Sequence, residues 1–211
     1  GNDFARGLGF KDGWSLEQAV RFLSGFIPRA SDLCTVNGIR YVNSAGFGLD
    51  TETVKVREAH TGLLHSNYTL AFLVALRGMR PLQMRYEFRS KGSPDQQQNH
   101  SGAGSFFWVL AMNSRDIGRG TRMAPQALLD DGCLDMILIR AVSKLRMLQL
   151  LPKAIKGQHI GEAGVDFAHV SELDCHLEQP LETLAVDGEI YPCGVASVSF
   201  RVSPGCLTLL R

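Results

Sequence analysis

The feature that most constrains this chain is the crowding of strand-like segments between Val165 and its end. Runs rich in β-branched and aromatic residues cover 168–172, 175–178, 182–186, 195–202 and 207–210, interrupted by Pro180, Gly188, Pro192-Cys193-Gly194 and Pro204-Gly205. Closely spaced strands with turn punctuation between them favour a β-sandwich. The expected fold class is therefore α+β and predominantly β: a two-sheet β-sandwich with a few flanking helices.

Upstream segments supply those helices and the remaining strands. Ser15-Leu16-Glu17-Gln18 has capping-box spacing and opens an amphipathic helix over 15–24. Asn37-Gly38 joins strands at 32–36 and 39–43, because both residues accept the positive φ of a type I′ turn. Helical periodicity follows in a polar piece through His60 and an apolar piece over 66–79 that Pro81 ends. Period-two alternation marks 82–89 and, less cleanly, 109–113, and the polar, glycine-rich 91–104 between them reads as a long mobile loop. A buried strand over 134–142 leads to a helix over 143–156 that Pro152 disrupts.

Composition narrows the function. The formal charge is +1, from 22 basic and 21 acidic residues, which argues against a nucleic-acid partner. Five cysteines without C-x-x-C spacing read as reduced thiols in a reducing compartment. Apolar runs at 69–76 and 106–112 are too short to span a bilayer, so any membrane contact is peripheral. His169 with Cys175-His176 matches no common zinc spacing, and G-x-S-x-G, G-x-G-x-x-G and Walker loops are missing from the sequence.

Carboxylates beside glycines remain. Asp187-Gly188-Glu189 is either a plain D-G turn or a pair of acids at a strand end, one facing a hydroxyl and the other a metal or ribose. Asp130-Asp131-Gly132 is either a turn or two repelling acids relieved by a cation. Gly118-Arg119-Gly120-Thr121-Arg122 suits phosphate or a solvated basic face, and Ser44–Gly48 followed by Asp50 and Glu52 suits a polar head group or a helix start.

Four segments in order resemble the C-terminal half of the diacylglycerol, sphingosine and ceramide kinase-like lipid kinases. They are Gly1-Asn2-Asp3-Phe4-Ala5-Arg6-Gly7-Leu8-Gly9, Asn43-Ser44-Ala45-Gly46-Phe47-Gly48-Leu49-Asp50, Ala124-Pro125 through Asp130-Asp131-Gly132 to Leu134-Asp135, and Val186-Asp187-Gly188-Glu189. The resemblance implies ATP and Mg²⁺ as cofactors, with Asn2, Asp3, Gly188 and Glu189 beside the nucleotide. Asp187 becomes a candidate general base toward a lipid hydroxyl, and Asp50 with Glu52 would contact the lipid head. Asp131, with carbonyls around Leu128 and Cys133, would hold a structural Mg²⁺ or Ca²⁺. Residues 1–30 would be a linker and helical segment from the nucleotide-binding half, and 31–211 the β-rich C-terminal domain. The family's G-G-D-G-T loop and its α/β domain should precede residue 1, so the fragment alone is expected to transfer no phosphate. A cytoplasmic enzyme, peripheral on membranes and pairing through an exposed sheet edge, fits this reading. Its rivals are a soluble-substrate kinase of the NAD kinase type and a non-catalytic β-sandwich that binds lipid or protein.

Overall fold

Two tight turns organise the β body, and both need left-handed backbone. In the computed structural model, which describes residues 3–11, 13–90, 99–118 and 120–211, Asn37 and Gly38 have φ of 46° and 82°, and Asp187 and Gly188 have 49° and 89°. The first turn joins β1 (Pro28–Val36) to β2 (Ile39–Tyr41), as expected. Asn37 also ties this turn to a neighbouring strand, donating to Ser197 O (3.1 Å) and accepting from Ser199 N (2.7 Å). The second joins β7 (Val165–Val186) to β8 (Glu189–Leu210), each 22 residues long.

The length of β7 and β8 corrects the reading of several short strands. Prolines at 180, 192 and 204 do not end them. Pairing of β7 with β8 shifts register between His176 and Leu181 and again before Thr183, and β1 with β8 shifts near Ser31. Bulges at these points absorb the missing N–H donors and bend the strands. The bent strands serve both layers: with β3 (Ser44–Gly48), β4 (Leu82–Ser90), β5 (Asn99–Met112) and β6 (Leu134–Arg140), the hydrogen-bonded order β2-β1-β8-β7-β3-β5-β4 is closed by β6 pairing with β5 and β7, and by β4 pairing with β7. All pairings are antiparallel, as the sandwich reading requires.

Strand β5 (Asn99–Met112) also begins earlier than expected, within the stretch read as loop; residues 91–98 of that stretch lie outside the described residues. Gly102 is the reason: a Cβ there would stand 2.6 Å from the Tyr86 ring, so the glycine fits against a cross-strand aromatic rather than marking a turn.

Alternation along β5 and β6 separates two cores. Val109, Ala111, Met136 and Leu138 face the interior between the layers with Phe47, Leu173 and Phe200. Trp108, Leu110, Ile137 and Ile139 face a second core beneath α5 (Tyr68–Gly78) and α6 (Lys144–Ile155), with Phe72, Leu76, Met147 and Leu150. With apolar partners on both faces, β6 is buried from Leu134 to Ile139. Helix α6 carries Pro152 in its last turn without ending there. The other helices are α1 (Asp3–Gly7), α2 (Leu16–Leu23) with its capping box formed, α3 (Leu49–Glu58) and α4 (Leu63–Ser66).

Strand β3 (Ser44–Gly48) is wedged between β5 and β7 and delivers the chain into α3. A Cβ at Gly46 would meet Val109 O at 2.5 Å and Leu110 Cδ2 at 2.8 Å. Gly46→Ala is therefore expected to lose about 2–3 kcal/mol in urea denaturation. Gly38→Ala, where only the positive φ opposes a side chain, should lose about 1 kcal/mol; equal losses would refute the wedge.

Candidate functional site

A cavity of about 500 Å³ opens where the β7–β8 turn, α3, α5, the end of α6 and the 117–123 loop meet. Its lining is chemically mixed. Asp3, Asp50, Glu58, Asp187 and Glu189 contribute carboxylates, Arg57 a guanidinium, and Phe72, Trp108, Leu151 and Ile155 apolar surface. A volume of this size suits a small organic ligand, with polar groups fixing its orientation and apolar walls taking the rest.

The polar part is built from segments far apart in sequence. Asp187 N donates to Ser44 O at 2.8 Å, and the Asp187 carboxylate accepts from the backbone N–H groups of Val42 (3.0 Å), Asn43 (2.8 Å) and Ser44 (3.0 Å). The D-G sequence is thus a tight hairpin turn and a cavity wall at once. Asp3, at the start of α1, accepts from Arg6 at 2.9 Å and from Gly120 N at 3.0 Å, which docks α1 onto the 117–121 turn. Asn43 receives Asn113 N and Ser114 N on its carbonyl and Ser114 Oγ on its side chain, and donates to Asp116 O.

Asp50 stands in the first turn of α3, where the helix dipole favours the anion. Burial prevails, and pushes its carboxyl up to about 6. Arg57, two turns along the same helix, lays its guanidinium 3.9 Å from the centre of the Tyr68 ring and donates through Nε to His65 O at 3.0 Å. Burial also raises the Tyr68 hydroxyl, with Arg57 opposing the shift and the nearby Asp50 and Asp3 adding to it.

Of the residues expected from sequence, Asp3, Asp50, Asp187, Gly188 and Glu189 all line this cavity. Glu52 is not among its lining residues: one residue-pair further round α3, it binds Lys55 at 2.9 Å. Asn2 and Arg119 lie outside the described residues. Tyr68, Arg57, Trp108 and Ile155 carry no local signal, since only the packing of α3, α5 and α6 on the sheet brings them to one cavity.

Asp131 lies outside the cavity as well. It accepts from Cys133 N at 2.9 Å and faces His169 Nε2 at 3.4 Å, while His169 Nδ1 lies 2.7 Å from Asp135 Oδ1. Cys175 points into the core and His176 pairs with Ser197 at 3.1 Å, so His169 gathers with Asp131 and Cys133 rather than with its neighbours on β7. The cavity acids offer oxygen, the donor type Mg²⁺ takes, but among the described residues no three of them gather within 4.8 Å, so water and phosphate would have to complete its shell. Around Asp131 the side chains that gather are the Cys133 thiol and the His169 imidazole.

Comparison with known proteins accounts for this architecture. The chain is 27% identical over 190 residues to a diacylglycerol kinase of Bacillus subtilis (strain 168), covering 89% of this chain and 59% of that protein. It is 28% identical over 212 residues to a probable lipid kinase YegS-like of Chromohalobacter salexigens, covering 99% and 63%. It thus spans about three fifths of the length of these curated relatives. The fold recurs in crystal structures from Bacillus anthracis str. Sterne: one at a TM-score of 0.69, 17% identical over 98% of this chain and 65% of that one, and a diacylglycerol kinase at 0.59, 15% identical over 98% and 62%. Identities this low speak for the fold alone. The model of the YegS C-terminal NAD kinase β-sandwich-like domain matches residues 43–211, from the strand that feeds the cavity to the end of β8, and the chain belongs to that family.

Proposed function

We propose that this chain is the acceptor-binding part of an ATP- and Mg²⁺-dependent lipid kinase, transferring a phosphoryl group to a lipid hydroxyl. One observation carries the reading: acids from three separate segments, Asp3, Asp50 and the Asp187-Gly188-Glu189 turn, line one cavity that also has apolar walls. Phosphoryl transfer needs positioning and charge stabilisation more than covalent help from the protein. When bound, the Mg²⁺-nucleotide supplies the phosphoryl group and neutralises its charge; Asp3, Gly188, Glu189 and, beyond the described residues, Asn2 are its contacts in this reading. Asp187, held in one orientation by three N–H donors, is the proton acceptor toward the lipid hydroxyl. Asp50 contacts the polar head, and Phe72, Trp108 and Ile155 receive the first part of the chain. The apolar part of the lining supports a lipid over a dinucleotide acceptor, and the name of the Bacillus subtilis relative makes diacylglycerol the first lipid to test.

The nucleotide would come mainly from an α/β domain in the remainder of the full-length protein, so the chain by itself is proposed to be inactive. Helix α2 supports an outside partner: Leu16, Val20 and Leu23 repeat at i, i+4 and i+7 yet stay exposed, at 82%, 56% and 46%. No helix among the described residues is long and apolar enough to cross a membrane, and lipid access is proposed to be peripheral.

Three outcomes test the reading. In the full-length protein, Mg²⁺-dependent transfer from ATP should be strongest to a diacylglycerol, sphingoid base or ceramide and negligible to NAD. Asp187→Asn should remain folded, yet lower turnover by about 10²–10⁴-fold; undiminished turnover would sink the proposed role. For Asp50, the folded-state pKa of about 6 lies above the ordinary carboxylate value, so the folded form binds the proton more tightly. Its contribution is then greatest below pH 4 and lost as pH rises through 6. Asp50→Asn should gain stability over the parent by about 1–3 kcal/mol at pH 7.5 and little at pH 4, measured by thermal denaturation.

A further inference from the structure

Strand pairing at the edge where β1 meets the end of β8 brings two arginines together. Ile27 and Arg211 exchange backbone hydrogen bonds of 3.3 and 3.2 Å, which continues the β1–β8 ladder by one pair. Arg29 follows two residues after Ile27, opposite Leu209, so alternation puts its side chain on the same face as that of Arg211, as a diagonal neighbour. Like charges within reach of each other repel.

A third guanidinium arrives from a distant part of the chain. Arg115, in the loop that follows β5, donates through Nε to Ala127 O at 3.2 Å, a contact that uses one of its five N–H groups. Arg29, Arg115 and Arg211 line one recess of about 210 Å³. We infer that this recess is a binding site for a phosphate-class anion, held by the three guanidinium groups. None of the three lines the cavity with the acids, so the inference does not rest on the kinase reading.

One carboxylate answers the three cations. Asp130 Oδ2 stands 2.5 Å from Arg211 Nη2, and among the described residues neither Arg29 nor Arg115 has a carboxylate at ion-pair distance. Arg211 is also drawn inward: its side chain is 18% exposed, and its Nε is buried without an acceptor among the described residues. A charged N–H in that state is destabilising, so this residue gains more than an exposed arginine would from an oxygen that a ligand supplies.

Size and donor geometry select the anion. The recess is smaller than the roughly 300–1,000 Å³ that drug-sized ligands occupy, which leaves a single ionic group as the fitting guest. A carboxylate has two oxygens, and one guanidinium fork satisfies both; a phosphate presents more and accepts from several forks at once. Phosphate in solution and the head group of an acidic phospholipid share this chemistry. The lipid source has room beyond its head group, because Arg29 and Arg211 also border an open groove lined by Trp14, Phe22 and Phe26.

Calorimetric titration of the full-length protein with inorganic phosphate at low ionic strength reads the site. Saturable binding is expected, and Arg29→Ala and Arg115→Ala, both at exposed side chains, should each weaken it by about tenfold or more. Arg115→Lys, which keeps the charge and loses the fork, should fall between the parent and Arg115→Ala. Arg80→Ala, at an exposed arginine outside the recess, should change nothing. Co-sedimentation with phosphatidylcholine vesicles containing phosphatidic acid, against vesicles matched in charge with oleate, distinguishes the sources. Loss of phosphatidic acid binding in Arg115→Ala assigns the recess to a lipid head group; loss of free phosphate binding alone assigns it to the soluble ion. If neither responds to Arg29→Ala or Arg115→Ala, or if acetate binds as well as phosphate, the three arginines are a solvated basic face and the assignment fails. Phosphate held by a nucleotide-binding part would be indifferent to these substitutions, so that failure leaves the kinase reading untouched.

Discussion

The site depends on one carboxylate that stitches two turns together. Asp187 stands at a positive φ, a conformation that aspartate tolerates better than most side chains. There its oxygens satisfy the N–H groups of Val42, Asn43 and Ser44, where the chain leaves β2 and enters β3. Without such a partner, three donors at a chain reversal would each seek another acceptor. The clamp sets where β3 begins, hence where α3 begins, and hence where Asp50, Arg57 and the helix wall of the cavity stand. A turn residue that looks local thus governs the relative placement of segments about 140 residues apart.

A second device is the sharing of β5 and β6 between two cores. Because both faces of these strands are apolar, the sheet is covered by its own folded-over half on one side and by α5 and α6 on the other. The helices are thereby fixed above Trp108, and their ends close the apolar part of the cavity. Burial has a cost at Asp50, whose raised proton affinity records the desolvation of its charged form.

Polar clamps of the same type recur away from the cavity. Asp32, 1% exposed, joins the 129–132 loop to β8, and Asn37 joins the first hairpin to the same strand. Each replaces a lost ladder bond at a point where a strand bends or ends. This is how a chain with three prolines in its last two strands keeps a continuous sheet.

Much was legible in the sequence because it depends on local chemistry. Alternation gave the strands, Asn37-Gly38 and Asp187-Gly188 the turns, and Ser15 to Gln18 a helix cap. The acids beside glycines singled out Asp3, Asp50, Asp187 and Glu189, which line one cavity. Local chemistry could not show that Pro180, Pro192 and Pro204 bend strands rather than end them, since only a partner strand that shifts register makes a bulge. Nor could it show that Gly102 sits against Tyr86, that Glu52 turns to Lys55, or that Arg57 and Tyr68 join the acids. Those depend on which faces meet when a sheet folds over itself, and His169 meeting Asp131 and Cys133 is the same kind of fact: one set of cross-strand pairs, fixed by the register of the whole sheet.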